Sequence, residues 1–147
     1  MRRNTWGDGL YFVFDTVRAA GCYALDIRDF INDRIQSQSW TTLGLPASLT
    51  LRLTLYAGTV VRCLDPLMER ENYMGKPVSR VARLEPATPP GEVYASEAFA
   101  ALAAVERVTE FTCEHVQQPT WTTHYSTFPA YVVRRAPGST HRGSTSR

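Results

Sequence analysis

No stretch of these 147 residues approaches the roughly 20 consecutive apolar positions that a helix needs to cross a bilayer. The short apolar run near the start, Leu10 to Phe14, follows Asp8 and stops at Asp15, so it is too brief for a secretion signal. A cytoplasmic protein without a membrane segment is expected. Cysteine is scarce: Cys22, Cys63 and Cys113 are odd in number and have no CxxC spacing. That argues against a disulfide framework or a zinc site, and for reduced, partly buried thiols. His115 and His124 are far apart, with no carboxylate at ligand spacing, so a histidine metal site is not expected and each histidine reads as structural.

A basic stripe interleaved with exposed aromatics is missing as well. The formal charge of +2 comes from the last residues, since Arg134 to Arg147 carries four arginines and no acid and leaves the remainder slightly acidic. A nucleic-acid binder is therefore disfavoured. What is present is ordinary for one globular domain: 44% apolar and 20% charged residues. Residues 134–147 have no apolar face and are expected to form a disordered basic tail behind a domain spanning 1–133.

Along the chain, residues 4–14 predict a hairpin, with Gly7-Asp8-Gly9 supplying the reversal. From Asp15 to Ile35 one helix is expected. Val17, Ala20, Ala24, Ile27, Ile31 and Ile35 form an apolar stripe at steps of three and four, widened by Tyr23 and Phe30, and Asp15 or Thr16 caps the start. Asp26 and Asp29 fall on the opposite side with Arg18, Asp33 and Arg34, and read as a solvated face. Leu49 to Tyr56 alternates like a half-buried strand, and a second strand starts at Val60. Asp65 to Glu71 reads as a charged loop. A short helix carries Ser79, Val81, Ala82, Arg83 and Leu84 and stops at Pro86. Gly91 to Ala95 predicts a buried strand. Ser96 caps a helix to about Glu106, with Phe99, Leu102 and Ala103 inward. Phe111 to Val116 and Phe128 to Val133 predict two closing strands at an antiparallel edge, joined by a polar loop from Gln117 to Thr127.

The segment Leu51 to Ser96 has a recognisable order: Arg52, Gly58, Tyr73, Gly75, Val78, Ala82, Arg83, Leu84, Glu85, Pro90, Gly91, Val93 and Ser96. In this order and spacing it resembles the second half of the catalytic domain of class III nucleotidyl cyclases, the adenylyl and guanylyl cyclases. Gly7, Asp8 and Phe14 match that family's earlier strand-turn-strand. The likeness covers about residues 4–133. It implies an α+β fold, a ferredoxin-like sheet with helices packed on it, truncated at its N-terminus. Family members start several dozen residues earlier, with a strand that ends in the first metal aspartate.

The resemblance also implies roles. Asp8 falls on the second metal-binding aspartate, for Mg²⁺ or Mn²⁺. Asn4 and Asn72 occupy the two base-reading positions, where other members carry lysine and either aspartate or cysteine; neutral amides leave ATP and GTP both open. Arg83 matches the arginine that meets the developing phosphate charge. Ser79, four residues before it and on the same helix face, stands where the family has asparagine. Arg80 is a further source of charge. Leu25-Asp26-Ile27-Arg28-Asp29-Phe30 imitates the first metal motif, but it follows the hairpin instead of preceding it and lies within a helix.

The activity implied is conversion of a purine nucleoside triphosphate to its 3′,5′-cyclic monophosphate and pyrophosphate, in cyclic-nucleotide signalling, by a homodimer or a heterodimer with another cyclase domain. The alternative is a catalytically inactive cyclase-homology domain, a dimerising, regulatory or nucleotide-binding module, or a fragment of a longer signalling protein.

Overall fold

The computed structural model describes residues 2–6, 9–37, 39–42, 44, 46, 49–66, 69–116, 121–123 and 126–138; at 2–6, 39, 40, 70, 121–123 and 126–128 the backbone alone is described. Strands β1 (Arg2–Trp6) and β2 (Gly9–Val13) form the expected hairpin, with Asn4 opposite Tyr11. Helix α1 (Val17–Gln36) starts at Thr16, whose hydroxyl accepts the Ala19 N–H at 3.2 Å. This satisfies one of the amides that every helix start leaves open. A single turn, α2 (Ser39–Thr42), follows in a stretch expected to be irregular.

Strand β3 is confined to Leu53–Leu55, shorter than the alternation of Leu49 to Tyr56 suggests. It pairs in parallel with β6 (Val93–Ser96), and before the ladder a bond from the Gly91 N–H to the Leu51 carbonyl at 2.7 Å still joins the two segments. Strands β4 (Val61–Asp65) and β5 (Arg70–Met74) pair as a hairpin that turns through Glu69 at φ 48°. The charged loop expected to last to Glu71 thus closes sooner. Helix α3 (Lys76–Leu84) runs into a 3₁₀ turn at Glu85–Ala87 that holds Pro86. Helix α4 (Glu97–Val105) is capped by Ser96, whose hydroxyl accepts the Phe99 N–H at 3.3 Å. Strand β7 (Phe111–His115) follows. Then come two short paired strands, β8 (Trp121–Thr123) and β9 (Ser126–Phe128), in the segment read as a polar loop.

The last strand, β10 (Ala130–Arg135), runs two residues past Val133. With β7 it forms the expected antiparallel edge of the sheet, β7 outermost and β10 inside it. The central sheet has the order β3-β6-β10-β7, with β3 parallel to β6 and β10 antiparallel to both of its neighbours. Ala136 continues the connection, its N–H donating to the Glu110 carbonyl at 3.1 Å.

Side chains alternate across this sheet. Val93 and Ala95 on β6 and Val133 on β10 face α1 and α4, joining Val17, Ala24, Leu25, Phe99, Ala103 and Phe111 in the main core. Tyr94 and Val132 face the other way, meeting Leu84 of α3 and Ala130 in a smaller cluster. Covered on both faces and paired along both edges, β6 is buried at every position. Each large core side chain, such as Phe99 or Leu25, contributes about 2 kcal/mol by leaving water.

The inward face of α1 is narrower than its apolar stripe. Val17, Gly21, Ala24 and Leu25 are buried, but Phe30 is half exposed, with the Arg34 guanidinium 5.0 Å above its ring. Leu102 of α4, expected inward, is also largely exposed.

The largest departure concerns Asp26 and Asp29, which do not form a solvated face. Arg135, at the end of β10, donates through Nε to Asp29 at 2.7 Å and through Nη2 to Asp26 at 2.5 Å. Arg28 adds bonds of 2.9 and 2.6 Å to the other oxygen of Asp29. Burial by itself would raise the Asp29 carboxyl, but the hydrogen bonds from Arg135 and Arg28 outweigh it and hold the group below the usual carboxylate range.

Candidate functional site

Three of the five expected site residues hang from one unit, strand β5 and the helix α3 that follows it. The turn between them is Gly75, at φ 146°, a conformation that side chains rarely adopt. A Cβ there would lie 3.3 Å from the Thr59 carbonyl oxygen. Gly58 is close-packed in the same place: a Cβ would come within 2.7 Å of Pro77 Cγ. The two glycines let the β3–β4 connection press against the first turn of α3.

On α3, Ser79 and Arg83 are both exposed and share a face. The Ser79 N–H is used by the helix, donating to the Gly75 carbonyl at 3.3 Å. Arg83, in the last turn, forms no ion pair or side-chain hydrogen bond with the described residues, so its guanidinium is presented to solvent as an unneutralised cation. Arg80 is tied instead to β3's exit, donating to the Tyr56 hydroxyl at 2.7 Å.

Asn72 is the middle residue of β5, half-buried and opposite Cys63. Its Oδ1 accepts the Tyr73 N–H at 2.8 Å and also the Tyr11 hydroxyl from the neighbouring hairpin. Its Nδ2 donates to Asp65 at 3.5 Å. Asn4 is the cross-strand neighbour of Tyr11 on that same hairpin, so the backbone of Asn4 and the amide of Asn72 are linked through one residue. Asn4 is described by its backbone alone, and Asp8 lies outside the described residues.

Tyr11 and Asp65 were not singled out by the sequence. The pairing of Trp6 with Gly9 puts Tyr11 opposite Asn4, so the first could have been found from the hairpin's register. Asp65 had the look of a loop residue.

A divalent cation takes several oxygen ligands in tight geometry. Among the described residues, no three His, Cys, Asp or Glu side chains gather in a way that could hold one. Asp26 and Asp29 are already neutralised by arginine. The described residues therefore do not fit a metal centre. A cleft of about 530 Å³ opens elsewhere, between α4 and the β7–β10 edge, lined by Ala100, Ala104, Phe111, Cys113 and Tyr131. Its single charged lining residue is Glu97, the wrong sign for a triphosphate. Burial there pushes the Cys113 thiol up to about 11.

No family model and no curated protein matches this sequence. Solved structures do. The adenylyl cyclase CyaB from P. aeruginosa superposes with a TM-score of 0.61 at 18% identity, over 86% of this chain and 65% of that one. The chain thus spans less than two thirds of that cyclase's length. The non-canonical dimeric guanylyl cyclase domain of the RhoGC fusion protein from the aquatic fungus Blastocladiella emersonii aligns at TM-score 0.41 and 16% identity, over 54% of this chain and 40% of that one. The catalytic core of a rhodopsin-guanylyl cyclase with converted specificity, in complex with ATPαS, aligns at 0.42 and 15%, with the same coverage. The first of these matches establishes the fold: α+β, of the nucleotidyl cyclase catalytic type. No helix among the described residues is long and apolar enough to cross a membrane.

Proposed function

We propose that this chain is a nucleotidyl cyclase-type domain that contributes the purine- and phosphate-contacting half of a dimeric site. The ligand is a purine nucleoside triphosphate, and the reaction is its cyclisation to the 3′,5′-monophosphate with release of pyrophosphate. The observation that carries this reading is the β5–α3 unit. It places Asn72 ahead of Gly75 and holds Arg83 on an exposed helix face, without an ion pair among the described residues, beside Ser79.

A guanidinium can meet two phosphate oxygens at once and is fully charged at neutral pH. Ser79 offers one hydroxyl to the same group, and Asn72 with Asn4 would face the base. The partner, a second copy or another cyclase domain, would complete the site across the interface. Mg²⁺ or Mn²⁺ would meet this chain at Asp8. One carboxylate does not satisfy such an ion, so the isolated chain is expected to bind nucleotide without turning it over.

That expectation supports a second reading, a regulatory domain that binds or dimerises but does not catalyse. It is favoured by Ser79 in place of an amide and by the missing carboxylate cluster among the described residues. Two measurements separate the readings. Calorimetry should show triphosphate binding that Arg83→Ala weakens about tenfold, roughly 1.4 kcal/mol. Cyclic nucleotide formed by the purified chain with Mn²⁺, and abolished by Asp8→Ala, would establish catalysis; binding alone would leave the regulatory reading. Unchanged affinity in Arg83→Ala would make Arg83 a surface residue and remove the basis for both.

A further inference from the structure

We infer that the outer edge of β7, with the cleft between it and α4, is a docking site for another protein. It takes an extended segment of that protein as one more strand, a segment apolar at alternate positions and carrying lysine or arginine.

The ladder shows which backbone groups are open. The Val116 N–H donates to the Ala130 carbonyl at 2.9 Å, and the Ala136 N–H donates to the Glu110 carbonyl at 3.1 Å. Bonded and non-bonded pairs alternate along an antiparallel ladder, so Thr112 and Glu114 also turn their backbone groups to β10. The N–H and C=O groups of Phe111, Cys113 and His115 then point the other way, where no strand lies among the described residues. Natural sheets guard such an edge with lysine, proline or a bulge. β7 reads Phe-Thr-Cys-Glu-His and pairs in unbroken register, so it has none of the three.

What lies beside the edge gives the partner its character. Side chains alternate across a strand, and Phe111 and Cys113 turn toward the α4 side. With Ala100, Ala104 and Tyr131 they line the cleft of about 530 Å³, the size of a ligand pocket. A strand laid along β7 would send every second side chain over this apolar lining. Strand addition of this kind takes affinity from the backbone and selectivity from pockets for alternate side chains. Glu97 is the charged residue of the lining; it is exposed and forms no ion pair among the described residues. Glu110 and Glu114 are instead met by Arg18 at 3.2 Å and Arg134 at 4.0 Å. An apolar cleft with one unmet carboxylate fits an apolar segment with a cation. A second copy of the chain would offer β7 itself, which has no lysine or arginine. Residues 139–147 have arginines but no apolar side chain.

The test is amide hydrogen exchange by NMR on the full 147-residue chain, with and without the blocked peptide acetyl-Lys-Thr-Val-Thr-Val-Thr-Lys-amide, whose lysines and valines share one face. In the free chain the amides of Phe111, Cys113 and His115 should exchange fast beside those of Thr112 and Glu114. Saturating peptide should slow the first three by about tenfold or more and leave the other two nearly unchanged. The same peptide with proline for its central threonine cannot complete a ladder and should slow none of them. Titration should find the peptide with glutamate for both lysines about fivefold weaker, the scale of an exposed charge pair, and Glu97→Lys should reverse that order. Should Glu97→Lys fail to fold, Glu97→Gln should bring the two peptides within about twofold.

Edge amides already protected in the free chain would overturn the inference, because the edge is then covered by the chain itself or by a second copy, which sedimentation tells apart. So would edge amides that the lysine peptide leaves fast, equal slowing by the proline peptide, or a charge preference that substitution of Glu97 does not alter.

Discussion

Replacing Arg135 by alanine removes the only side chain that reaches both Asp26 and Asp29 among the described residues, and joins the end of β10 to the middle of α1. The magnitude follows from exposure. The Arg135 and Asp29 side chains are 20% and 23% exposed, and Asp26 is 44% exposed. Fully exposed pairs contribute about 0–1 kcal/mol, whereas breaking a buried pair costs about 3–5. In the variant Asp29 keeps Arg28 and Asp26 rehydrates readily, so the cost should fall between these limits, near 2 kcal/mol. For a chain of this length that is a fall of about 6 °C in Tm. Arg135→Lys should recover less than half, because an ammonium cannot fork to two carboxylates.

Urea unfolding followed by circular dichroism measures the difference directly, and acid makes the test sharper. The folded pKa of Asp29 is depressed, so its contribution is complete above the unfolded value, about 4. It is lost as pH falls through the folded value. The gap between wild type and Arg135→Ala should therefore shrink from pH 7 to pH 3. A double-mutant cycle with Asp29→Asn should give a coupling of about 1 kcal/mol or more. The reasoning is refuted by a variant within about 0.5 kcal/mol of wild type at pH 7, the range of ordinary surface changes.

Gly21→Ala should cost about 2 kcal/mol by overpacking, because its Cβ would lie 2.3 Å from Cε1 of the buried Phe111 ring; chemical denaturation will show it. Ser96→Ala should lower stability by about 1 kcal/mol through loss of the α4 cap, with no change in the cooperativity of melting. Cys113, at about 11, should be only about one part in a thousand thiolate at pH 8. Iodoacetamide followed by peptide mass mapping should then find it slow in the native chain and fast in urea.

The elements written in local signals were legible before the structure. The Thr16 and Ser96 caps and the stop at Pro86 each act within a few residues, and the helices formed where those signals put them. The sharing of one helix face by Ser79 and Arg83 was legible from their spacing, but β5, the strand that carries Asn72, begins inside a stretch that reads as a charged loop. What could not be read depends on distant partners. Asp29 looks solvated because it lies on the polar side of a helix, and the arginine that claims it is 106 positions away. The Tyr11 bond to Asn72 likewise joins two hairpins with no sequence signal in common. The alternation at Leu49 to Leu55 signals a strand but not its length, which depends on the distant segment it pairs with, Val93–Ala95.

The position of β10 bears on how the molecule is made. Of the described strands this one is synthesised last, yet it lies between β6 and β7 and faces α1. Until it emerges, β6 lacks one neighbour, β7 lacks its pairing partner, and the Leu25 side of α1 has only part of its covering. Closing such distant pairs is slow compared with forming a helix, and the unpaired strand edges are open to other chains in the meantime. On the ribosome, then, α1 has to wait for residues 130–135, and the nascent chain depends on them before its central sheet can close.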